Sequence, residues 1–272
     1  MTIAMEELLA VMRQLRNPEG GCAWDLEQTL ESIVPHTLEE AYEVADAIER
    51  RDLAALRDEL GDLLYQVVFL ARIAEEAGHF DFDAVVRAIA DKLVRRHPHV
   101  FATSEWASQQ QGQQATLSSS EQTQAWERYK QHERRAAGEQ GVLGGVALAL
   151  PALSRAVKLG KRAARVNFDW PDASGMRAKL DEELAEFEET LSEHESVERQ
   201  SEELGDLLFV IANWARHLKL DPEGALRAAN GKFERRFARM EAFAAGDGVA
   251  LESLDLVAWE ALWQRAKAAE KG

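Results

Sequence analysis

The 272-residue chain has a single cysteine, Cys22. That excludes an intramolecular disulfide framework and a cysteine-based zinc site, and it suits a reducing compartment. Basic charge is also scarce, with Lys+Arg 32 against Asp+Glu 48 and a net charge of -16. A nucleic-acid polymer would be repelled by such a surface, so it is not an expected partner. A small phosphorylated ligand stays compatible, because bound divalent cations reverse the local field. Long hydrophobic runs are missing too. The stretch Val142 to Leu153 is broken by Gly144, Gly145 and Pro151 and falls short of the about 20 apolar residues that a membrane helix needs. The start, Met1-Thr2-Ile3-Ala4-Met5-Glu6-Glu7, has no basic region leading into an apolar run and does not read as a secretory signal. These absences predict a cytoplasmic protein without a membrane segment. No run of strict apolar-polar alternation bounded by turns occurs either, so strands are not expected.

What is present is helical periodicity, with apolar residues three and four apart. Leu60, Leu63, Leu64, Val67, Val68 and Ala71 form one stripe, and Leu204, Leu207, Leu208, Ile211 and Ala215 form another; both are expected to be buried. Asp81 before Phe82, and Asp221 before Pro222, are helix-start signals. The predicted architecture is all-α.

The order of features repeats. Each half runs from a Trp-containing turn (Trp24-Asp25; Asp169-Trp170) to a double glutamate, a Glu-Leu-Gly-Asp-Leu-Leu helix, a basic helix (Lys92 with Arg95-Arg96; Lys232 with Arg235-Arg236) and a Trp-x-x-x-Lys (Trp126 with Lys130; Trp263 with Lys267). Such a repeat argues for two tandem helical-bundle domains. Thr103–Thr123 is rich in Ser and Gln and Gly138–Gly145 in Gly, as in connecting segments. The expected domains are 1–138 and 139–272.

Chemistry concentrates in the acids. Glu39-Glu40-x-x-Glu43 precedes Glu59-Leu60-Gly61-Asp62, and Glu182-Glu183-x-x-Glu186 precedes Glu203-Leu204-Gly205-Asp206. Residues three or four apart share a helix face, so each set offers two acidic faces able to converge on cations. Read alone, the double glutamates are ordinary solvated helix starts. Glu59 and Asp62 resist that reading, because they border the apolar stripe and an unpaired buried carboxylate costs several kcal/mol or becomes neutral. Glycine inside a helix costs about 1 kcal/mol relative to alanine, so Gly61 and Gly205 suggest another helix packed close by. An all-carboxylate set favours Mg²⁺ or Mn²⁺, whereas a di-iron bundle would need Glu-x-x-His pairs on two helices. Lys92 with Arg96, and Lys232 with Arg236, are one helical turn apart and could face one anion, although solvated helix faces look the same. Trp126 and Trp263, taken alone, are more often core or interface residues than base-stacking platforms.

With Gly21-Cys22-Ala23-Trp24-Asp25, Pro35-His36-Thr37-Leu38-Glu39-Glu40-Ala41-Tyr42-Glu43 and Lys232-Phe233-Glu234-Arg235-Arg236-Phe237, the chain resembles the two-domain MazG nucleoside triphosphate pyrophosphohydrolases over nearly its whole length. The resemblance implies a compact helical fold, a tight homodimer in which helices of two chains complete each site, and cleavage of nucleoside or deoxynucleoside triphosphates to monophosphate and pyrophosphate, as in house-cleaning of the nucleotide pool. It also implies that Glu183, Glu186, Glu203 and Asp206, and in the first half Glu40, Glu43, Glu59 and Asp62, hold Mg²⁺. Lys232, Arg236, Trp263 and Lys267, with Lys92, Arg96, Trp126 and Lys130 in the first half, are implied substrate contacts. Catalysis is implied for Glu182, Glu183, Glu186, Lys232 and Arg236, with Glu182 or Glu183 accepting a proton from the attacking water. The second half is expected to carry most of the activity. One visible difference is the longer connection from Asp62 to Lys92 than from Asp206 to Lys232. A catalytically weak, nucleotide-binding regulatory module is the alternative.

Overall fold

The computed structural model describes residues 3–97, 100–101, 129, 133 and 141–270. All regular elements among them are helices. The chain divides into two units, Met1–Tyr129 and Lys130–Gly272. The expected boundary at 138/139 and the segment Thr103–Thr123 lie outside the described residues.

The first unit contains α1 (Ile3–Leu15), α2 (Ala23–Glu27), α3 (Leu30–Arg50), α4 (Leu53–Glu76) and α5 (Phe82–Arg96). Thr29 and Ser32 start α3 with a reciprocal capping box, which satisfies backbone donors that the first turn cannot pair internally. A two-residue connection turns the chain back. Arg51 takes a left-handed conformation, and Asp52 accepts from the backbone N–H of Ala54 and Ala55 to start α4. This tight turn makes α3 and α4 neighbours along most of their length. Met12, Ile33, Val68 and Phe69 form the core where α1, α3 and α4 meet, each large side chain contributing about 1.5 to 3 kcal/mol on burial. Asp81 accepts from Ala84 N–H and starts α5.

The second unit contains α6 (Ala152–Ala164), α7 (Ala173–Ser192), α8 (Val197–His217), α9 (Pro222–Gly246), a short 3₁₀ turn (Leu251–Ser253) and α10 (Leu256–Ala269). Here α7 pairs with α8 through a connection in which His194 is left-handed and Ser196 caps α8. Asp221 caps α9, with Pro222 in its first turn. The core cluster of this unit is made by Met240 and Ala244 of α9 with Leu262 and Ala266 of α10. The repeat extends to polar anchors, buried at Asp25 and half-buried at Asp169. Asp25 accepts from the Tyr65 hydroxyl at 3.0 Å and its carbonyl accepts from Arg16, whereas Asp169 binds Arg216 at 2.5 and 3.0 Å and His217 at 2.9 Å.

Three expectations need correction. The apolar stripes are only partly buried: Val68 and Ala71 are core, but Leu60 is 49% and Leu208 45% exposed, and Leu64, Val67, Leu204 and Ile211 are exposed too. Each helix hairpin covers only its inward side, and the rest of the apolar surface has no cover within the unit. Gly61 and Gly205 do not mark close helix packing, because a Cβ at either position would meet nothing within 4 Å. Trp24-Asp25 lies in the short helix α2 rather than in a turn.

Candidate active site

The double glutamates lie on α7 and α3, and the Glu-Leu-Gly-Asp segments on α8 and α4. The two hairpins therefore set the acids of each signature against each other. In the second unit, carboxylate oxygens of Glu183, Glu203 and Asp206 lie within 4.8 Å of one another. Glu183 and Glu203 are buried, 5% and 3% exposed, while Asp206 faces solvent. Two like charges at such depth require compensation, and it comes from cations one turn earlier on the same helices. The Lys179 ammonium lies 2.7 Å from Glu183 and 2.8 Å from Glu182, and Arg199 contacts Glu203 and lies 3.2 Å from Glu202. The hydrogen bonds that Lys179 donates to Glu182 and then to Glu183 raise its pKa. Glu182 and Glu186 are exposed, and Glu186 stands outside the close grouping.

In the first unit the close grouping is Glu40, Glu43 and Glu59, and no ion pair with a basic side chain neutralises these three among the described residues. Burial, then the neighbouring Asp62 and Glu43 carboxylates, raise the Glu40 pKa. Burial, then Glu43 and Asp62, raise that of Glu59. Gln66, buried, donates to Glu40 at 3.4 Å, and its own amide oxygen has no hydrogen-bond partner. Both donor sets are hard oxygen ligands, which suit a small divalent cation. One Glu-x-x-His spacing does occur, Glu76 to His79, but α4 ends at Glu76 and that carboxylate holds Arg16 at 2.6 Å. It supplies no iron site.

Arg236, Trp263, Phe233, Phe237 and Glu270 form a second cluster. Lys232 and Arg236 lie on α9, and Trp263 and Lys267 on α10. The Arg236 guanidinium sits over the Trp263 ring at 5.3 Å, and its Nε donates to Glu270 Oε2 at 2.8 Å. Phe233 stacks against Phe237 and touches Trp263. No hydrogen bond or ion pair joins this cluster to the acids of α7 and α8 among the described residues. In the first unit Lys92 is exposed and Arg96 half-buried on α5, while Trp126 and Lys130 lie outside the described residues. The longer connection there is largely helix: α4 continues from Glu59 to Glu76, whereas α8 runs from Glu203 only to His217.

Sequence reasoning passed over Lys179, Arg199 and Glu270. The first two carried a readable signal, since each precedes its buried glutamate by four residues, a spacing that brings side chains together on a helix. Glu270 carried none, because its partner is far away in the chain.

The profile of the MazG nucleotide pyrophosphohydrolase domain matches residues 28–101. The Escherichia coli (strain K12) protein named nucleoside triphosphate pyrophosphohydrolase is 45% identical over 270 residues, covering 98% of this chain and 98% of its own. A Thermotoga maritima protein named nucleoside triphosphate pyrophosphohydrolase/pyrophosphatase MazG is 40% identical over 269 residues, covering 99% of this chain and 98% of its own. A crystal structure of a mazG-related protein from Thermotoga maritima aligns with 46% of this chain and 98% of that one, at 27% identity and a TM-score of 0.36. With near end-to-end similarity to both relatives, and with the repeated acidic hairpins of its two units, the chain belongs to the MazG family.

Proposed function

We propose that the protein is a Mg²⁺-dependent nucleoside triphosphate pyrophosphohydrolase that converts NTP or dNTP to the monophosphate and pyrophosphate. The observation that carries this reading is the convergence of Glu183, Glu203 and Asp206 within 4.8 Å, in a chain similar almost end to end to proteins of that name. Glu183, Glu203 and Asp206, with Glu186 on the same helix as Glu183, would hold Mg²⁺ in the second unit, and Glu40, Glu43, Glu59 and Asp62 in the first; Mn²⁺ has the same ligand preference. When bound, such an ion offsets the charge of the triphosphate and makes a water more acidic.

The remaining work falls to side chains. Glu182, exposed beside the buried grouping, accepts the proton of the water that attacks the α-phosphorus; Glu183, buried within the grouping that would hold the ion, is less free to do so. The bond from the α-phosphorus to the bridging oxygen breaks, and pyrophosphate leaves with that oxygen. Lys232, Arg236 and Lys267 bind the triphosphate, and Trp263 lies against the nucleotide.

The protein acts as a homodimer. Support comes from the uncovered apolar residues Val34, Leu38 and Tyr42 on α3, Leu60, Leu64 and Val67 on α4, and Leu204, Leu208 and Ile211 on α8, more apolar surface than a soluble monomer normally leaves open. It works in the cytoplasm on nucleotides and not on nucleic-acid polymers, a reading supported by the lone Cys22 and the net charge of -16. No described helix is long and apolar enough to cross a membrane. The test is incubation with a panel of triphosphates, with and without Mg²⁺, and chromatography of the products. Monophosphate and pyrophosphate, formed only with the metal and lost in Glu203→Gln, are expected. Diphosphate with orthophosphate would overturn the proposed bond of cleavage, and nucleotide binding without turnover would favour a regulatory module.

A further inference from the structure

Glu270 follows the last residue of α10 and reaches back to α9. Its Oε2 accepts from Arg236 Nε at 2.8 Å, and its Oε1 lies 3.6 Å from Arg239 Nη1. Both partners of the first bond are largely sheltered, with Arg236 19% and Glu270 21% exposed. The plane of the Arg236 guanidinium is also fixed from below, by the Trp263 ring at 5.3 Å. A guanidinium presents two edges to acceptors, the Nε edge and the paired Nη edge, and either can grip an oxyanion with two parallel hydrogen bonds. Here the aromatic face sets the tilt, and the bond to Nε sets the rotation within the plane. The Nη groups of Arg236 make no hydrogen bond within the chain among the described residues.

We infer that Glu270 is a positioning residue for the triphosphate site: it fixes the rotation of Arg236 so that the Nη edge is turned toward the phosphates before substrate arrives. This rests on the proposed reading that Arg236 contacts the triphosphate. Holding a long side chain ready removes an ordering cost at binding. A carboxylate beside a polyanion site would ordinarily weaken binding by repulsion. Glu270 is instead shared between two guanidinium groups, Arg236 and Arg239, so the cluster as a whole keeps a net positive charge. The Glu270 pKa is lowered, chiefly by the hydrogen bond from Arg236, so the carboxylate is charged wherever the enzyme would work.

The experiment is steady-state kinetics of pyrophosphate release from ATP with Mg²⁺, using the full chain. Glu270→Ala should raise KM about tenfold while kcat changes less than about threefold, the pattern of lost substrate binding. Glu270→Gln keeps an acceptor for Nε–H and should stay within about threefold of the wild-type KM. In an Arg236→Ala background, Glu270→Ala should add nothing, because the group it positions is gone. Should Glu270→Ala fail to fold by circular dichroism, Glu270→Asp carries the test: it keeps the charge, withdraws the acceptor and must raise KM at least about threefold. An unchanged or lowered KM in Glu270→Ala, or an equal loss in the Arg236→Ala background, overturns the inference while leaving the proposed activity standing. A wild-type chain that neither binds nor cleaves any nucleoside triphosphate sinks both.

Discussion

The Lys179 ammonium lies 2.7 Å from the carboxylate of Glu183, whose side chain is only 7% exposed, while the Lys179 side chain is 31% exposed. A charge that deep needs a counter-ion, and in the metal-free protein Lys179 is that counter-ion, as Arg199 is for Glu203. A divalent cation would therefore meet an acidic site that is already partly neutralised. Replacing Lys179 by Met leaves Glu183 uncompensated and should cost about 1 to 2 kcal/mol, less than breaking a fully buried pair because the lysine is partly solvated. The melting temperature without metal should fall by about 3 to 6 °C. Added Mg²⁺ should raise it more in the variant than in the wild type, since no ammonium competes for the carboxylate. Differential scanning calorimetry with and without Mg²⁺ measures both.

The first unit presents the opposite situation. Glu40 and Glu59 have raised pKa values, from burial first and from neighbouring carboxylates second. A carboxyl whose pKa is higher in the folded than in the unfolded state disfavours folding when ionised, and the penalty disappears as pH falls through the folded value. Glu59→Gln should therefore stabilise the metal-free protein at neutral pH. The gain should shrink at an acidic pH, because wild-type Glu59 takes up its proton more readily than an ordinary glutamate. The same variant should lose part of the Mg²⁺-induced stabilisation, since a ligand oxygen with charge is gone. Urea unfolding at the two pH values, with Mg²⁺ titrated at the higher one, checks the signs.

Much of this architecture was legible from residue spacing. Helical periodicity and the capping residues Asp81 and Asp221 located helices that the structure contains, and the spacing of Glu183 against Glu203 and Asp206 anticipated their convergence. What spacing could not convey was cover. The apolar stripe through Leu60 and Leu64, or Leu204 and Leu208, reads as core because periodicity identifies an apolar face without saying what packs on it; within the chain those residues stay exposed. Gly61 and Gly205 misled for a related reason, since a helical glycine need not have a close neighbour. The four-residue spacing of Lys179 to Glu183 and of Arg199 to Glu203 was readable, but the depth of those glutamates, which makes the pairs matter, was not. The bond from Arg236 to Glu270 depends on how α9 and α10 pack, which no local pattern encodes.

Acid titration should isolate another polar anchor. The Asp169 carboxyl is held down to about 2, first by hydrogen bonds from Arg216 and then by His217. Its folded pKa lies below the unfolded value of about 3.9, so the stability it contributes is complete above that value and is lost as pH falls toward about 2. The shift corresponds to about 2 to 3 kcal/mol. Asp169→Asn should thus be less stable than wild type by about 2 to 3 kcal/mol at neutral pH. The two proteins should converge as pH is lowered through this window, as chemical denaturation of both at a series of pH values would reveal.

Gly160 tests how α6 is seated on α8. It is buried, and a Cβ at this position would lie 1.8 Å from Asn213 Oδ1 and 2.9 Å from Asn213 Cγ. Alanine ordinarily favours a helix over glycine by about 1 kcal/mol, which alone predicts stabilisation. Asn213 cannot yield cheaply, however. It is 2% exposed, its Nδ2 donates to the Phe209 carbonyl at 3.1 Å, and its Oδ1 accepts from Arg216 Nε at 3.1 Å. Moving it would break both bonds inside the unit and disturb the arginine that holds Asp169. Overpacking and the stranded polar groups together outweigh the propensity gain, so Gly160→Ala should destabilise by about 2 to 3 kcal/mol. The double variant Gly160→Ala with Asn213→Ala should recover part of that loss, because the added methyl then occupies space the amide has vacated. Urea denaturation of the two single variants and the double variant measures the coupling, and a stabilised Gly160→Ala would show that α6 does not pack against Asn213 in solution.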